Sequence, residues 1–301
     1  MTSPPPQPGL SATTAISTGD ERFEFGRNWS RFLATVDEKR ISAARESLRR
    51  LLGETPLASR RFLDAGCGSG LFSLAAHLEG AEVVSFDYDP QCVACTHEMQ
   101  RRFGDANGSP WRIERGSLLD ETYLRGLGEF DVVYCWGVAH HTGAMWSAIE
   151  NLWPAVRPGG RIVLAIYNDQ QYISRLWAGI KRVYQKLPGF LRPVYVAGIG
   201  AVLFAWRLLV TLMASALRLV TFRNPFVPFL NWARETQARG MHGWYDLVDW
   251  VGGWPFEVAR PEELFRYLRD RGFRLTELVT CSGHGCNELV FEREARSAVK
   301  D

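Results

Sequence analysis

Two carboxylates, three glycines and a pair of histidines occupy positions that suit chemistry. Asp64 ends the apolar run Arg61-Phe62-Leu63 and leads into Ala65-Gly66-Cys67-Gly68-Ser69-Gly70. Alternate glycines permit positive φ and let a ligand approach the backbone with no Cβ in the way. A pyrophosphate-binding turn reads G-x-G-x-x-G and offers the ligand a helix N-terminus. The spacing here, G-x-G-x-G, suits a ligand without phosphate, and the backbone of Cys67 matters there more than its thiol. Asp87 lies 21 positions after Gly66, where a dinucleotide-type fold keeps an acid for ribose hydroxyls. Its carboxylate can accept from both the 2′ and the 3′ hydroxyl. His140 and His141 have side chains whose ordinary pKa lies near neutrality, which suits removal of a proton from an acceptor. His242, Tyr245 and Asp246 recur at helical spacing and present a second polar group on one face, with His242 as another candidate base.

These residues need elements to hold them. Arg61–Ala65 reads as a strand, the glycines as a tight turn, and Leu71–Leu78 as a helix. Val83-Val84-Ser85-Phe86 is a buried strand ending at Asp87, and Pro90 to Phe103 is helical with Pro90 in its first turn. Trp111–Gly116 is a third strand and Phe130–Trp136 a fourth, which delivers Trp136 and the two histidines. A helix over 144–156 follows, then a turn at Arg157-Pro158-Gly159-Gly160 and a fifth strand at Arg161–Tyr167. Two close strands, Gly272–Val279 and Asn287–Phe291, end the pattern. Alternation of this kind predicts an α/β fold. An amphipathic helix capped by Ser30 is expected to run to Leu52, with Ile41, Ala44, Leu48, Leu51 and Leu52 on one stripe.

The glycine loop after Asp64, Asp87, and the histidines beyond the fourth strand resemble the class I S-adenosylmethionine-dependent methyltransferases. Within that family the resemblance is nearest to ubiquinone-biosynthesis-type O-methyltransferases. It covers Arg61 to Tyr167 and about Pro261 to Arg293. It implies a Rossmann-like, mostly parallel seven-stranded sheet with an antiparallel last strand. It also implies S-adenosyl-L-methionine as cofactor. On that pattern Asp64 lies near the methionine amino group, Gly66, Cys67, Gly68 and Gly70 form the loop, and Asp87 takes the ribose. Tyr88 stacks on adenine, Ser117 and Leu118 hold its edge, and Trp136 lines the methionine side. Ser117 stands where the family commonly has Asp. The family's Glu-His pair is His140-His141 here, so His141 aligns with the family histidine. Asn168, Asp169, Tyr245, Asp246 and Trp29 are the residues expected to face the acceptor.

The chain has 301 residues, 46% hydrophobic, with a net charge of +2. That allows one large α/β domain with an elaboration. Six scattered cysteines and a start without a signal-peptide pattern point to a reducing cytoplasmic setting. Cys92-x-x-Cys95 has no second pair near it, so no metal is expected. Residues 1–20 read as a disordered tail, 21–56 as a capping helix region, 57–167 and 256–295 as the methyltransferase core, and 168–255 as a helical cap insertion. Within the insertion, residues 170–240 carry ten Lys or Arg against one acid, Glu235. Gln170–Leu187 is amphipathic through Ile173, Leu176, Trp177, Ile180, Tyr184 and Leu187. Val194–Phe222 is long and apolar, with Arg207, Thr211, Ser215 and Arg218 on one stripe. A basic, apolar insertion suits a small lipophilic substrate, a peripheral membrane contact or a homo-oligomer, while no nucleic-acid module is found. Two other functions stay open: N-, C- or S-methylation, and a catalytically silent cofactor-binding module.

Overall fold

Seven apolar runs pair into one sheet, and the chain winds outward from its centre in both directions. The computed structural model describes residues 26, 29, 33–53, 55–105, 108–238, 243–281, 283 and 285–295. The side chains of 234–238, 243, 245, 246 and 249 also lie outside that description. The strands are β1 (Arg61–Ala65), β2 (Glu82–Asp87), β3 (Trp111–Arg115), β4 (Phe130–Trp136), β5 (Val156–Tyr167), β6 (Phe273–Val279) and β7 (Cys286–Arg293). Their order is β3-β2-β1-β4-β5-β7-β6. The first five are parallel, and β7 runs antiparallel to both β5 and β6. The strand order reverses between β1 and β4. A crevice opens at the carboxyl ends of strands at such a point.

Both faces of the sheet are covered. Helix α1 (Glu38–Leu52) packs with α2 (Leu71–Leu78) on one face, around Leu48, Phe62, Leu74 and Val132. Small residues Ala75 and Ala76 let α2 lie close to the strands. On the other face, α4 (Glu121–Leu127), α5 (Met145–Leu152) and α10 (Pro261–Arg269) enclose Leu63, Val133, Ile149 and Leu264. Helix α3 (Pro90–Phe103) begins at Asp89, whose carboxylate accepts from Gln91 N, and has Pro90 in its first turn.

Three boundaries differ from expectation. Helix α1 starts at Glu38 because Asp37 caps it, accepting from Arg40 N at 2.9 Å. Ser30, the expected cap, is outside the described residues. The helix expected over 144–156 stops at Leu152, and Trp153–Ala155 forms one tight turn. Pro154 has no N–H to continue the ladder. The turn expected at 157–160 is an excursion within β5: pairing jumps from Phe130↔Val156 to Val132↔Arg161, and Gly159 takes a φ of +74°. Helix α4 went unforeseen. Its cap is Asp120, which accepts from Tyr123 N at 2.9 Å.

The chain divides into two compact units, Met1–Leu176 with Trp254–Asp301, and Trp177–Gly253. The second holds most of α6 (Tyr172–Lys186), with α7 (Arg192–Val220), α8 (Val227–Ala238) and α9 (Gly243–Gly252). Within it, Lys181 is fully buried, donates to Trp250 O, and lies over the Trp250 ring. Trp177 packs edge-on against that ring. The buried residues of α6 are Ser174, Trp177, Ala178, Lys181 and Tyr184, whereas Ile173 and Leu176 are exposed. Lys181 therefore takes a place on the buried side that apolar periodicity had not marked.

Candidate functional site

The turn after β1 is closed by its own amides. Gly66 N and Cys67 N both donate to Phe86 O, at 2.8 and 3.0 Å. Gly68 N donates to Asp87 Oδ2 at 3.0 Å, and Gly70 N to Cys67 O at 2.8 Å. A phosphate cradle needs such N–H groups pointing at the ligand. Here four of them are engaged within the protein. The loop supplies shape: Gly66 has φ +89°, and a Cβ there would fall 2.4 Å from the Val138 side chain. At Gly68 a Cβ would meet the Trp29 indole at 3.2 Å. Trp29 thus lies against the glycine loop. Gly26 N, from the same stretch, donates to Asp89 Oδ2 at 3.0 Å.

The site is acidic. Asp64 is only 3% exposed and accepts from Ser73 Oγ. Behind it runs a buried chain: Ser85 Oγ donates to Ser73 Oγ at 2.7 Å, and Trp111 Nε1 donates to Ser85 Oγ at 2.8 Å. Burial pushes the Asp64 carboxyl up to about 7, opposed by the Ser73 bonds and reinforced by the charge of Asp87. Asp87, at the end of β2, is likewise held above the usual carboxylate range by burial. Its oxygens accept from Gly68 N and Asp89 N, and from the Cys92 thiol. Two desolvated carboxylates, with the charge of Asp87 raising Asp64 and that of Asp89 raising Asp87, make a poor site for a phosphate. They make a good one for a ligand carrying positive charge.

Other expected residues distribute around this pair. Tyr88 is 53% exposed just beyond β2, with the Arg115 guanidinium 5.7 Å from its ring centre. Trp136, at the end of β4, donates through Nε1 to Glu288 Oε1 at 3.2 Å and stacks on Phe72. Ser117 Oγ accepts from Leu119 N at 3.2 Å. The Leu118 side chain belongs to the core beneath and its carbonyl accepts from Asn151 Nδ2, so any ligand contact falls to its backbone N–H. The Cys67 thiol is buried against Thr96 Oγ1 and pushed well up by burial, which fits a backbone role.

The histidines differ. His140 is fully buried, its ring 3.9 Å from that of Tyr167 and 4.5 Å from that of His141. It is a packing residue. His141 is partly exposed, and its Nδ1 lies 2.6 Å from Pro255 O. A carbonyl can only accept, so Nδ1 carries a proton, and in the neutral ring Nε2 is the basic nitrogen. The segment after Pro255 grips the same loop twice more. Glu257 N donates to His140 O at 3.0 Å, and Met145 N donates to the Glu257 carboxylate at 3.0 and 3.1 Å. Burial pushes Glu257 up to about 7, against the lowering effect of the Met145 and Gly143 amides.

Asn168 and Asp169 are engaged within the protein. Asn168 Nδ2 donates to Cys281 O, and its Oδ1 accepts from Asn287 Nδ2. Asp169 Oδ1 accepts from Gln171 N, and Oδ2 lies 3.7 Å from Arg260 Nε. Both tie the end of β5 to its neighbours. His242 lies outside the described residues, as do the side chains of Tyr245 and Asp246. Sequence reasoning missed Ser73, Ser85 and Glu257. Only Glu257 left a local sign, an acid directly after the apolar Trp254-Pro255-Phe256. Among the described residues no group of three or more His, Cys, Asp or Glu could hold a metal ion.

Residues 63–162 match the family described as "Methyltransferase domain". A ubiquinone biosynthesis O-methyltransferase of Pseudomonas putida is 31% identical over 137 residues, covering 44% of this chain and 55% of the relative. An uncharacterized protein of Synechococcus is 34% identical over 120 residues, covering 39% of this chain and 28% of that one. The chain spans about half the length of the curated ubiquinone-type relatives it matches. Among solved structures, the magnesium protoporphyrin IX methyltransferase of Synechocystis, with bound SAH, aligns over 92% of this chain and 90% of its own. Its TM-score is 0.49 at 16% identity. The glycine loop, Asp64 and Asp87 all fall inside the matched span, so this part of the chain is similar to a methyltransferase domain.

Proposed function

We propose that this protein binds S-adenosyl-L-methionine at the carboxyl ends of β1, β2 and β4 and methylates a hydroxyl of a small, lipophilic acceptor. The observation that carries the cofactor reading is the character of the loop. Its amides are engaged internally and its acids are desolvated, which favours a sulfonium and an ammonium over a pyrophosphate. The bound cofactor supplies a methyl group on a sulfonium, already a strong electrophile, which becomes a neutral thioether on transfer. Asp64 holds the ammonium, Asp87 accepts from the ribose hydroxyls, and Tyr88 and the backbone at Ser117–Leu118 receive the adenine. Trp136 and Trp29 cover the site and exclude water.

The protein then has to align the acceptor and take one proton. His141 Nε2 accepts the acceptor's hydroxyl proton as the methyl–oxygen bond forms. Its Nδ1–H, fixed on Pro255 O, stabilises the resulting imidazolium. The ubiquinone-type relatives support a hydroxyl acceptor, and the replacement of their Glu by His140 marks where this chain's acceptor chemistry departs.

Calorimetry with the sulfonium, its demethylated product and NAD provides the first test. Binding of the first two and silence with the third is expected; the reverse pattern sinks the reading. A labelled methyl donor incubated with purified protein and a cell extract then identifies the acceptor. Label is expected in a solvent-extractable, low-mass product whose new group is a methyl ether. Tight cofactor binding with no labelled product from any extract would instead leave a silent binding module.

A further inference from the structure

The second unit carries a helix built inside out. Helix α7 has 29 residues, about 43 Å at 1.5 Å per residue. Its most apolar window has a mean hydropathy of 2.0, yet only 11% of that window is buried. A core helix of a water-soluble fold would be mostly buried. Of the polar stripe noted in the sequence, Thr211 is buried, Ser215 and Arg218 are half-buried, and Arg207 is exposed. Arg207 lies 5.7 Å from the centre of the Trp232 ring on α8. Arg218 Nε donates to Asn224 O in the turn that leads to α8. What faces outward is Val202, Trp206, Leu209, Met213, Leu217 and Val220, at steps of three and four. Phe222 and Phe226 continue that surface around the hairpin turn.

Charge identifies the occupant. Residues 170–240 hold ten basic side chains against one acid. Two of them, Arg218 and Arg223, line a cleft of about 490 Å³ at the turn, together with Thr221 and Asn231. Leu217 and Val227 make its apolar wall. Guanidinium, hydroxyl and amide groups over an apolar wall match a phosphate with acyl chains attached. A crossing orientation is disfavoured. It would put Arg207 at mid-bilayer, a cost of about 3 kcal/mol or more. Helix α8 is only 12 residues long and returns alongside α7 with Asn231, Arg234 and Glu235 in its sequence. We infer that the α7–α8 hairpin lies in the plane of one leaflet of an anionic phospholipid bilayer. Its apolar face sits among the acyl chains, and Arg218 and Arg223 hold a headgroup phosphate.

Flotation of the full chain with phosphatidylcholine vesicles, with and without about 30% phosphatidylglycerol, tests this. The protein is expected to float with the anionic vesicles at least tenfold more than with the neutral ones. Leu209→Glu with Met213→Glu should lower the floated fraction at least tenfold. Arg218→Glu with Arg223→Glu should remove the preference for anionic lipid. Should either pair fail to fold, the unaltered protein suffices. Acyl-brominated lipid should quench its tryptophan emission, and Trp206→Phe should remove a share of that quenching. A protein left at the bottom of both gradients overturns the inference. So does a discrete soluble oligomer in which Trp206 is shielded from acrylamide, which would assign this face to a second copy.

Discussion

Asp64 shows how one buried group can report the ligand. Its folded carboxyl sits near 7 against an ordinary value of 3.8, and the leading cause is burial. Between those values the folded, unliganded protein holds a proton that the unfolded chain has lost. Stability from this group is therefore full below about pH 4 and declines as pH rises to about 7, by about 4 kcal/mol at ~1.4 kcal/mol per unit. The Asp64→Asn variant should lack that slope in denaturant titrations run from pH 5 to 8. A cofactor ammonium needs the ionised form, so affinity should climb through pH 6 and level off above about 7. Calorimetry at pH 6 in buffers of different ionisation enthalpy should count close to one proton released from Asp64, and none from the asparagine variant. The base role proposed for His141 belongs to a different step. Replacing His141 with Ala should lower kcat by about 10²- to 10³-fold, the range for losing a general base. Cofactor affinity should stay within about threefold. Near-normal turnover would remove the base and leave an acceptor that needs no deprotonation.

The histidine loop depends on a neighbour that is distant in sequence. Pro255 O orients His141, Glu257 N binds His140 O, and the Glu257 carboxylate holds the first turn of α5. Removing that carboxylate with Glu257→Ala frees the Met145 amide and loosens the loop. A displacement of about 1 Å can cost about 10²-fold in rate. We expect kcat to fall about 10- to 100-fold with cofactor affinity retained, and Glu257→Gln, which still accepts, to lie between. Equal loss of cofactor binding would show a general collapse instead. This contact also explains what could and could not be read beforehand. The strands and the glycine loop announce themselves locally, through periodicity and through residues that only tight turns tolerate. The grip on His141 joins residues more than a hundred positions apart, and no local pattern encodes such a pairing. Asn168 and Asp169 have partners hidden for the same reason. They follow β5 as acceptor-facing residues would, but Asn287, Cys281 and Arg260 arrive from the end of the chain to engage them. Ser73 and Ser85 look like ordinary small residues until β1, α2 and β2 bring them behind Asp64.

A net charge of +2 hides two opposed regions, because residues 170–240 alone carry +9. The remainder of the chain is acidic, and so is the cofactor crevice within it. The polarity suits a cationic methyl donor in one unit and an anionic surface for the other, and the two demands respond differently to salt. Screening shortens from about 10 Å at 0.1 M to about 3 Å at 1 M, so long-range attraction to a bilayer fades while apolar contact does not. The unaltered chain, once seated by its apolar face, should lose less than about half of its floated fraction between 0.1 and 0.5 M sodium chloride. The Leu209→Glu, Met213→Glu variant keeps the basic charges but loses the apolar anchor, so its residual binding should fall severalfold over the same range. Cofactor titrations of both proteins in the same buffers should superimpose, since these substitutions lie in the helical unit and leave Asp64 and Asp87 untouched. If the unaltered chain is stripped from the vesicles by 0.5 M salt as completely as the variant, the attraction is charge alone. The exposed face of α7 would then have to be covered by something other than lipid.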